Sequence, residues 1–234
     1  MRYSSTVRAE FIDRPNRFVA DVLLDGHEVA VHVKNTGRCR ELLVPGAPVV
    51  LSDSGNPARR YRYDLVAVQK GDLLVNMDSQ APNRVFGEWV SSSGFFGMSP
   101  EIIPEHTHGD SRFDFLMRSD GRTILAEVKG VTLENGGETM FPDAPTERGR
   151  KHLRGLERAV SEGFEAYAVF VVQMGGATVF RPNRAMDPEF ADALMEAAGH
   201  GVDVLCLGCD VRDDSMEISY RVPVDLARCP RLAS

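Results

Sequence analysis

The sequence predicts a two-part chain: a small β-barrel over residues 1–81, then an α/β domain with a mixed central sheet over residues 82–234. Three observations carry this reading. Short alternating apolar runs, each ended by a turn signal, fill the first eighty residues with no long helical stripe among them. The rhythm changes at Pro82-Asn83, after which stripes of helical spacing mix with continuous apolar runs. Asp120-Gly121 then joins two alternating runs in the manner of a tight hairpin.

In chain order, Phe18–Leu24 alternates and stops at Asp25-Gly26, and His27–Val33 alternates again before Asn35-Thr36-Gly37. Ala47–Leu51 is a short apolar stretch after Pro45-Gly46, and Tyr61–Val68 and Leu73–Asn76 flank Gly71-Asp72. Five short strands in this length fit an OB-like β-barrel, with an SH3-like barrel as the alternative. Arg38–Leu43 reads as a short helical cap on that barrel. Beyond it, Asn83–Val90 reads as a helix capped by Asn83, with Val85, Phe86 and Trp89 on one face and Ser91-Ser92-Ser93-Gly94 as its end. Pro145 and Thr146 mark the start of a second helix carrying Leu153, Leu156 and Val160. Ala166–Gln173 is apolar throughout, the pattern of a strand buried on both faces. Asp187-Pro188 opens a third helix through Ala198, and Val202–Leu207 is a further buried strand.

The hairpin also carries chemistry. If the turn pairs Ser119 with Arg122, antiparallel partners sum to 241, which sets Asp114 opposite Glu127 with Cβ atoms about 4.5–5.5 Å apart. Lys129 falls on the same face, because strand side chains repeat with period two. Phe113, Phe115, Met117, Ile124, Ala126 and Val128 are expected to fill the other face. Two opposed anions are unfavourable unless a cation resolves them. Hard divalent ions such as Mg²⁺ take one or two carboxylates plus a substrate phosphate, and a nearby lysine can orient the attacking water or neutralise developing charge. The pattern therefore suits metal-assisted phosphodiester hydrolysis by Asp114, Glu127 and Lys129. The competing reading is an ion-pair cluster without metal, in which Lys129 meets Asp114 and Arg112 meets Glu127. An odd-length loop would shift the register and separate the carboxylates.

Other residues join or leave the site on weaker grounds. Glu88, on the preceding helix, is a candidate third carboxylate, against the ordinary reading of a solvated glutamate. Arg148 and Lys151 lie in the first turns of a helix whose free N–H groups favour anions, which suits a phosphate grip, with a solvated basic face as the equal alternative. His106 and His108 read as surface residues of a polar loop. Cys206 and Cys209 match C-x-x-C, but a zinc site would need two more ligands from Cys39, Cys229 or a distant histidine; buried thiols are the simpler reading.

The bulk numbers bound the partners. A net charge of −7 argues against a blanket electrostatic grip on nucleic acid. Residues 1–85, however, hold 12 Lys and Arg against 10 Asp and Glu, whereas the remainder holds 15 against 24. No apolar run reaches the roughly 18 residues of a membrane span, and the N-terminus lacks a signal-peptide core. The expectation is a reduced, cytoplasmic protein with no membrane partner; the sequence leaves oligomeric state open.

Longer motifs then point to a family. Arg14-Pro15-Asn16-Arg17-Phe18, Asn35-Thr36-Gly37-Arg38, Ser111-Arg112-Phe113-Asp114-Phe115, Glu127-Val128-Lys129-Gly130-Val131-Thr132-Leu133 and Phe141-Pro142-Asp143-Ala144-Pro145-Thr146-Glu147-Arg148-Gly149 resemble the sugar fermentation stimulation protein A (SfsA) family. The match runs in order from about residue 11 to residue 207. This resemblance implies an OB-like domain, a PD-(D/E)xK nuclease-like domain, DNA binding without sequence specificity, and a regulatory link to sugar (maltose) metabolism in bacteria. It places Asp114, Glu127 and Lys129 on the nuclease-like motif and Glu88 on the preceding helix where that superfamily often has a glutamate. Mg²⁺ or Mn²⁺ is the implied cofactor, held by Asp114, Glu127 and Glu88. With DNA as partner, the expected grip comprises Arg17, Lys34, Asn35, Arg38, Arg60 and Arg62 on the barrel, with Arg148 and Lys151 beyond it. Two departures stand out: Lys34 replaces a usual proline, adding positive charge, and Asn76-Met77-Asp78 replaces a usual Asn-Thr. The alternatives are a DNA-binding regulator that does not cut, and a small-molecule or protein-binding barrel joined to an inert nuclease-like domain.

Overall fold

The computed structural model describes residues 1–35, 37 and 39–227. Strands β1 (Thr6–Asn16), β2 (Val19–Leu24) and β3 (His27–Val33) form an antiparallel meander. The β2–β3 turn uses Asp25 and Gly26 at φ 50° and 79°, the left-handed pair that a two-residue hairpin turn demands. β4 (Pro48–Asp53) pairs antiparallel with both β1 and β5 (Tyr63–Lys70), and the parallel β3–β5 pairing closes the barrel. β1 to β5 thus make a closed five-stranded barrel of OB type, and β6 (Leu73–Asn76) extends it as a hairpin partner of β5. Val22, Val31, Leu51, Leu65 and Val68 fill its interior.

Details of the barrel differ from expectation. β1 is absent from the sequence reading because two register shifts, after Phe11 and after Asp13, break its alternation, leaving Phe11 as its one fully buried side chain. Residues 40–42 form a hydrogen-bonded turn rather than a helix, with Leu43 N–H donating to the Cys39 carbonyl at 2.9 Å. Its leucines, Leu42 and Leu43, still close the barrel core.

Helix α1 (Ala81–Ser93) follows, ended by Gly94 in the left-handed region at φ 70°. The capping position is Gln80, so Asn83 lies inside the first turn and its side chain is free for another task. β7 (Glu101–His108), β8 (Ser111–Ser119) and β9 (Arg122–Val131) then form a meander. His106 and His108, expected in a loop, lie on β7, and His108 packs on Phe164 and pairs with Glu162 at 2.9 Å. The short strands β10 (Leu133–Asn135) and β11 (Glu138–Phe141) lead to α2 (Glu147–Ser161), where the Thr146 hydroxyl accepts the Gly149 N–H at 3.0 Å. β12 (Glu165–Val172), β13 (Val179–Pro182), α3 (Pro188–Gly199, capped by Asp187), β14 (Asp203–Arg212) and β15 (Ser215–Arg221) complete the described chain.

The second sheet has the order β15-β14-β12-β9-β8-β7, with β9, β12 and β14 parallel and the rest antiparallel. α1 covers one face through Val85, Phe86 and Val90; α2 packs on the other through Leu153 and Leu156. Cys206 faces the α2 side and Cys209 the α1 side, so opposite faces of β14 separate the two thiols of the C-x-x-C pattern. Cys229 lies outside the described residues. Gln173, buried after β12, fastens the domains by donating from Nε2 to the carbonyls of Asn76 and Asp78 at 3.0 and 3.1 Å. The Asn76-Met77-Asp78 departure is therefore built into the domain junction, where Asn76 also donates to the Tyr3 hydroxyl at 2.9 Å.

Candidate metal centre

The β8–β9 register follows the predicted sum: Ser119–Arg122, Arg118–Thr123, Met117–Ile124, Leu116–Leu125 and Phe115–Ala126 are partners. There the ladder stops. In place of a pairing with Glu127, Asp114 turns its Oδ2 to accept the Val128 N–H at 2.7 Å, and Asn83 donates to Oδ1 at 2.7 Å. β7 meets the same stretch with an irregularity, since Glu105 sits at φ 57° between the Pro104–Phe115 and His106–Phe113 pairs. Phe113 accordingly leaves the face expected for it and packs on the α2 side, 6.0 Å between ring centroids from His152. Phe115, Met117, Ile124, Ala126 and Val128 do fill the α1 side. Asp114 and Glu127 are therefore not ladder partners, in contrast to the register expected from the turn.

Glu127 is buried, and its two oxygens are treated differently. Oε1 is shared between Lys129 Nζ and His152 Nδ1. Oε2 is buried with no hydrogen-bond partner. Burial works to raise the Glu127 carboxyl, but the His152 hydrogen bond and the Lys129 charge outweigh it, leaving the group below its usual range. Asp114 goes the other way: burial and the Glu127 charge hold it above its usual range despite the Val128 N–H, Lys129 and Asn83. The expected ion pairs do not form as drawn: Lys129 pairs with Glu127 rather than Asp114, and Arg112 with Glu105 rather than Glu127. A buried anionic oxygen without a donor is the feature such a cluster would not leave. Two carboxylates with an open oxygen acceptor fit a hard divalent cation.

Glu88 borders the same groove as Asp114, together with Asn83, Arg84 and Glu105. Its carboxylate is exposed and pairs with the Met1 α-ammonium at 2.6 Å and with Arg84 at 3.4 Å, not with the central pair. Beyond Lys129, Gly130 lies so close to Gln173 and Pro82 that a Cβ there would fall 2.3 and 2.8 Å from their atoms. A cleft of about 330 Å³ opens at that point between the domains, lined by Asn35, Gly37, Thr132, Phe141 and Asp143 among others.

The remaining candidates divide. Arg17 is exposed above the Phe18 ring at 4.7 Å and lines a hollow on the barrel with Arg14 and Arg40. Arg60 and Arg62 lie between β4 and β5, against Tyr61 and Tyr63, with Arg62 also bonded twice to Asp53. Arg148 is exposed on α2 and reaches His152 Nε2 at 3.4 Å; Lys151 donates to the Asp110 carbonyl at 2.8 Å. Lys34 is not an outward charge: it sits 3.3 Å from both Asp64 and Asp78, two buried carboxylates. Arg38 lies outside the described residues.

Comparison with known proteins settles the family. The model of the sugar fermentation stimulation protein RE domain matches residues 80–215, and that of the SfsA N-terminal OB domain matches residues 12–77. The chain belongs to the SfsA family. Sugar fermentation stimulation protein homologs of Desulfitobacterium hafniense (strain Y51) and Clostridium beijerinckii are 50% and 46% identical to it, each across 97% of this chain and at least 99% of their own length. A solved structure, Pyrococcus furiosus SfsA in complex with Ca²⁺, matches with a TM-score of 0.88 at 26% identity, covering 96% of this chain and 98% of that one. No helix among the described residues is long and apolar enough to cross a membrane.

Two positions at the candidate site escape the sequence reading. Asn83 reads there as a helix cap, yet it orients Asp114. His152 goes unmarked, although it interrupts the buried stripe Gly149, Leu153, Leu156 and Ala159. A histidine inside an apolar helix stripe needs a buried polar partner, and that was the available signal.

Proposed function

We propose that the chain binds DNA without sequence preference and hydrolyses its phosphodiester bonds at a Mg²⁺- or Mn²⁺-dependent site, within the regulation of sugar use that the family name describes. The observation that carries the metal reading is the buried, partnerless Oε2 of Glu127 beside the half-buried carboxylate of Asp114. The relative from Pyrococcus furiosus, a complex with Ca²⁺, supports a hard divalent ion in this fold. The arrangement of the second domain supports a PD-(D/E)xK nuclease-like reading, with Asp114 where the first strand pair parts and Glu127-Val128-Lys129 on the next strand.

Asp114 and Glu127 would hold the cation, with Glu88 the further carboxylate at the groove's edge. When bound, the ion supplies charge neutralisation at a phosphate and an acidified water. Asn83 and the Val128 N–H each hold one oxygen of Asp114 and leave further acceptor capacity on both. Lys129, half-buried beside Glu127, can move its proton contact from Oε1 to an attacking water or a phosphoryl oxygen. Arg148 and Lys151 at the start of α2, with Arg17 on the barrel, would meet the flanking phosphates.

The test is incubation with single- and double-stranded DNA in Mg²⁺, Mn²⁺ or EDTA, for the wild type and D114A. Metal-dependent cleavage that the substitution abolishes supports the enzyme. Binding without cleavage in every metal sinks it and leaves a non-catalytic DNA-binding regulator.

A further inference from the structure

His152 is only 7% exposed in its side chain, within a helix stripe that otherwise carries glycines, leucines and alanine. Packing alone would be served better by leucine there. Both ring nitrogens are instead engaged: Nδ1 faces Glu127 Oε1, and Arg148 Nε donates to Nε2 at 3.4 Å. Nδ1 lies against a carboxylate, which only accepts, so the ring proton resides on Nδ1 and is donated to Glu127, leaving Nε2 to accept from Arg148. The ring therefore has no lone pair left for a cation and is not itself a ligand. Its position is set from below, because Gly155 lets α2 approach β8 closely. A Cβ on that glycine would lie 2.9 Å from the Phe113 ring.

We propose that His152 is a positioning residue for Glu127: its imidazole and Lys129 together hold Oε1, so that Oε2 is the oxygen presented to a divalent cation. Arg148 belongs to the same device by holding the Nε2 edge of the ring. One exposed arginine thus links the phosphate-facing start of α2 to the orientation of a carboxylate inside the sheet. The inference rests on the metal reading of Asp114 and Glu127. Groups that hydrogen-bond to metal ligands typically contribute about 10- to 100-fold in metal affinity.

The test is calorimetric titration of Mn²⁺ into the wild type, H152L, H152N and R148A, with folding of each checked by thermal melting in EDTA. H152L keeps the packing volume and removes the donor; it is expected to weaken Mn²⁺ binding about 10- to 100-fold. H152N places an amide N–H near the position of Nδ1 and is expected to recover most of that loss. R148A, which releases the Nε2 edge of the ring, should weaken binding by a smaller factor. An H152L affinity equal to wild type overturns the proposal, as does an H152N as weak as H152L. If H152L fails to fold, R148A carries the test, and an unchanged R148A affinity overturns it. A wild type that takes up no Mn²⁺ overturns the metal reading itself and this inference with it. Uptake by the wild type with an unchanged H152L overturns this inference alone.

Discussion

Asp64 in the barrel and Glu127 in the second domain are both buried carboxylates, yet their surroundings differ in one respect that separates structure from function. Asp64 meets three cationic or titratable groups: Arg59 at 2.7 Å, His32 at 2.9 Å and Lys34 at 3.3 Å. Both its oxygens are covered by the Arg59 fork, and despite the cost of burial its carboxyl is drawn down to about 2. Glu127 has Lys129 and His152 on one oxygen and nothing on the other, and it sits beside a second carboxylate. A cluster that serves only the fold saturates its acceptors, because each open one costs free energy. One that awaits a cation leaves an acceptor open and tolerates the cost.

The largest expected contrast is in activity. E127A and D114A should each lower metal-dependent DNA cleavage by at least about 100-fold, whereas D64N should leave the rate per folded molecule unchanged. Equal losses in all three, measured at matched folded fraction, would erase the functional distinction. Stability should rank the sites in reverse. D64A leaves Arg59 and Lys34 beside a vacated partner and should cost about 3–5 kcal/mol in urea unfolding. D114N, in the metal-free protein, should stay within about 1 kcal/mol of wild type or exceed it. The amide oxygen still accepts from Val128, Asn83 can turn its own oxygen to the new NH₂, and the repulsion from Glu127 is gone. A D114N penalty as large as that of D64A would show the pair to be an ordinary structural cluster.

The contrast also explains how much was legible in the sequence. The hairpin register followed from Asp120-Gly121 and period-two alternation, so the neighbourhood of Asp114, Glu127 and Lys129 was readable residue by residue. The end of the ladder at Asp114 was not, because alternation and a turn signal give the register of a hairpin but not where its pairing stops. His152 was hidden for a related reason: its partner lies 25 positions away, and no local pattern encodes that meeting. In the barrel, Lys34 looked like an added surface charge. Only the closure of β3 onto β5, which brings His32 level with Asp64, shows that its charge is spent inside. β1 escaped because its register shifts destroy the alternation on which strand reading depends.

Titration gives the comparison opposite signs. Asp64 has a lowered carboxyl, so its stabilisation is complete above the unfolded aspartate value of about 3.9 and is lost as pH falls through about 2. Asp114 has a raised one, so in the metal-free protein its ionised form costs stability above that value, and acidification relieves the cost. Urea unfolding at pH 7 and pH 3 should therefore show the D64N penalty shrinking on acidification. Any D114N gain should shrink with it, because wild-type Asp114 is then already protonated. A D114N gain that grows toward acid would reverse the sign assigned to Asp114.

The smallest expected effects test whether charges are spent inside or available outside. Removing a cation that neutralises one phosphate should reduce the slope of log K against log salt by about 0.9 on duplex DNA. Arg17 is exposed over an aromatic ring, and Arg148 is exposed at the start of α2, so R17A and R148A should each lower the slope by roughly that amount. K34A removes the same formal charge from the same loop region but should leave the slope unchanged, since Asp64 and Asp78 already neutralise that ammonium. Its signature is instead a loss of folding stability, because two buried carboxylates then share one fewer cation. Equal slope changes for K34A and R17A, read from binding titrations between about 50 and about 200 mM salt, would mean that Lys34 leaves its carboxylates to reach the DNA.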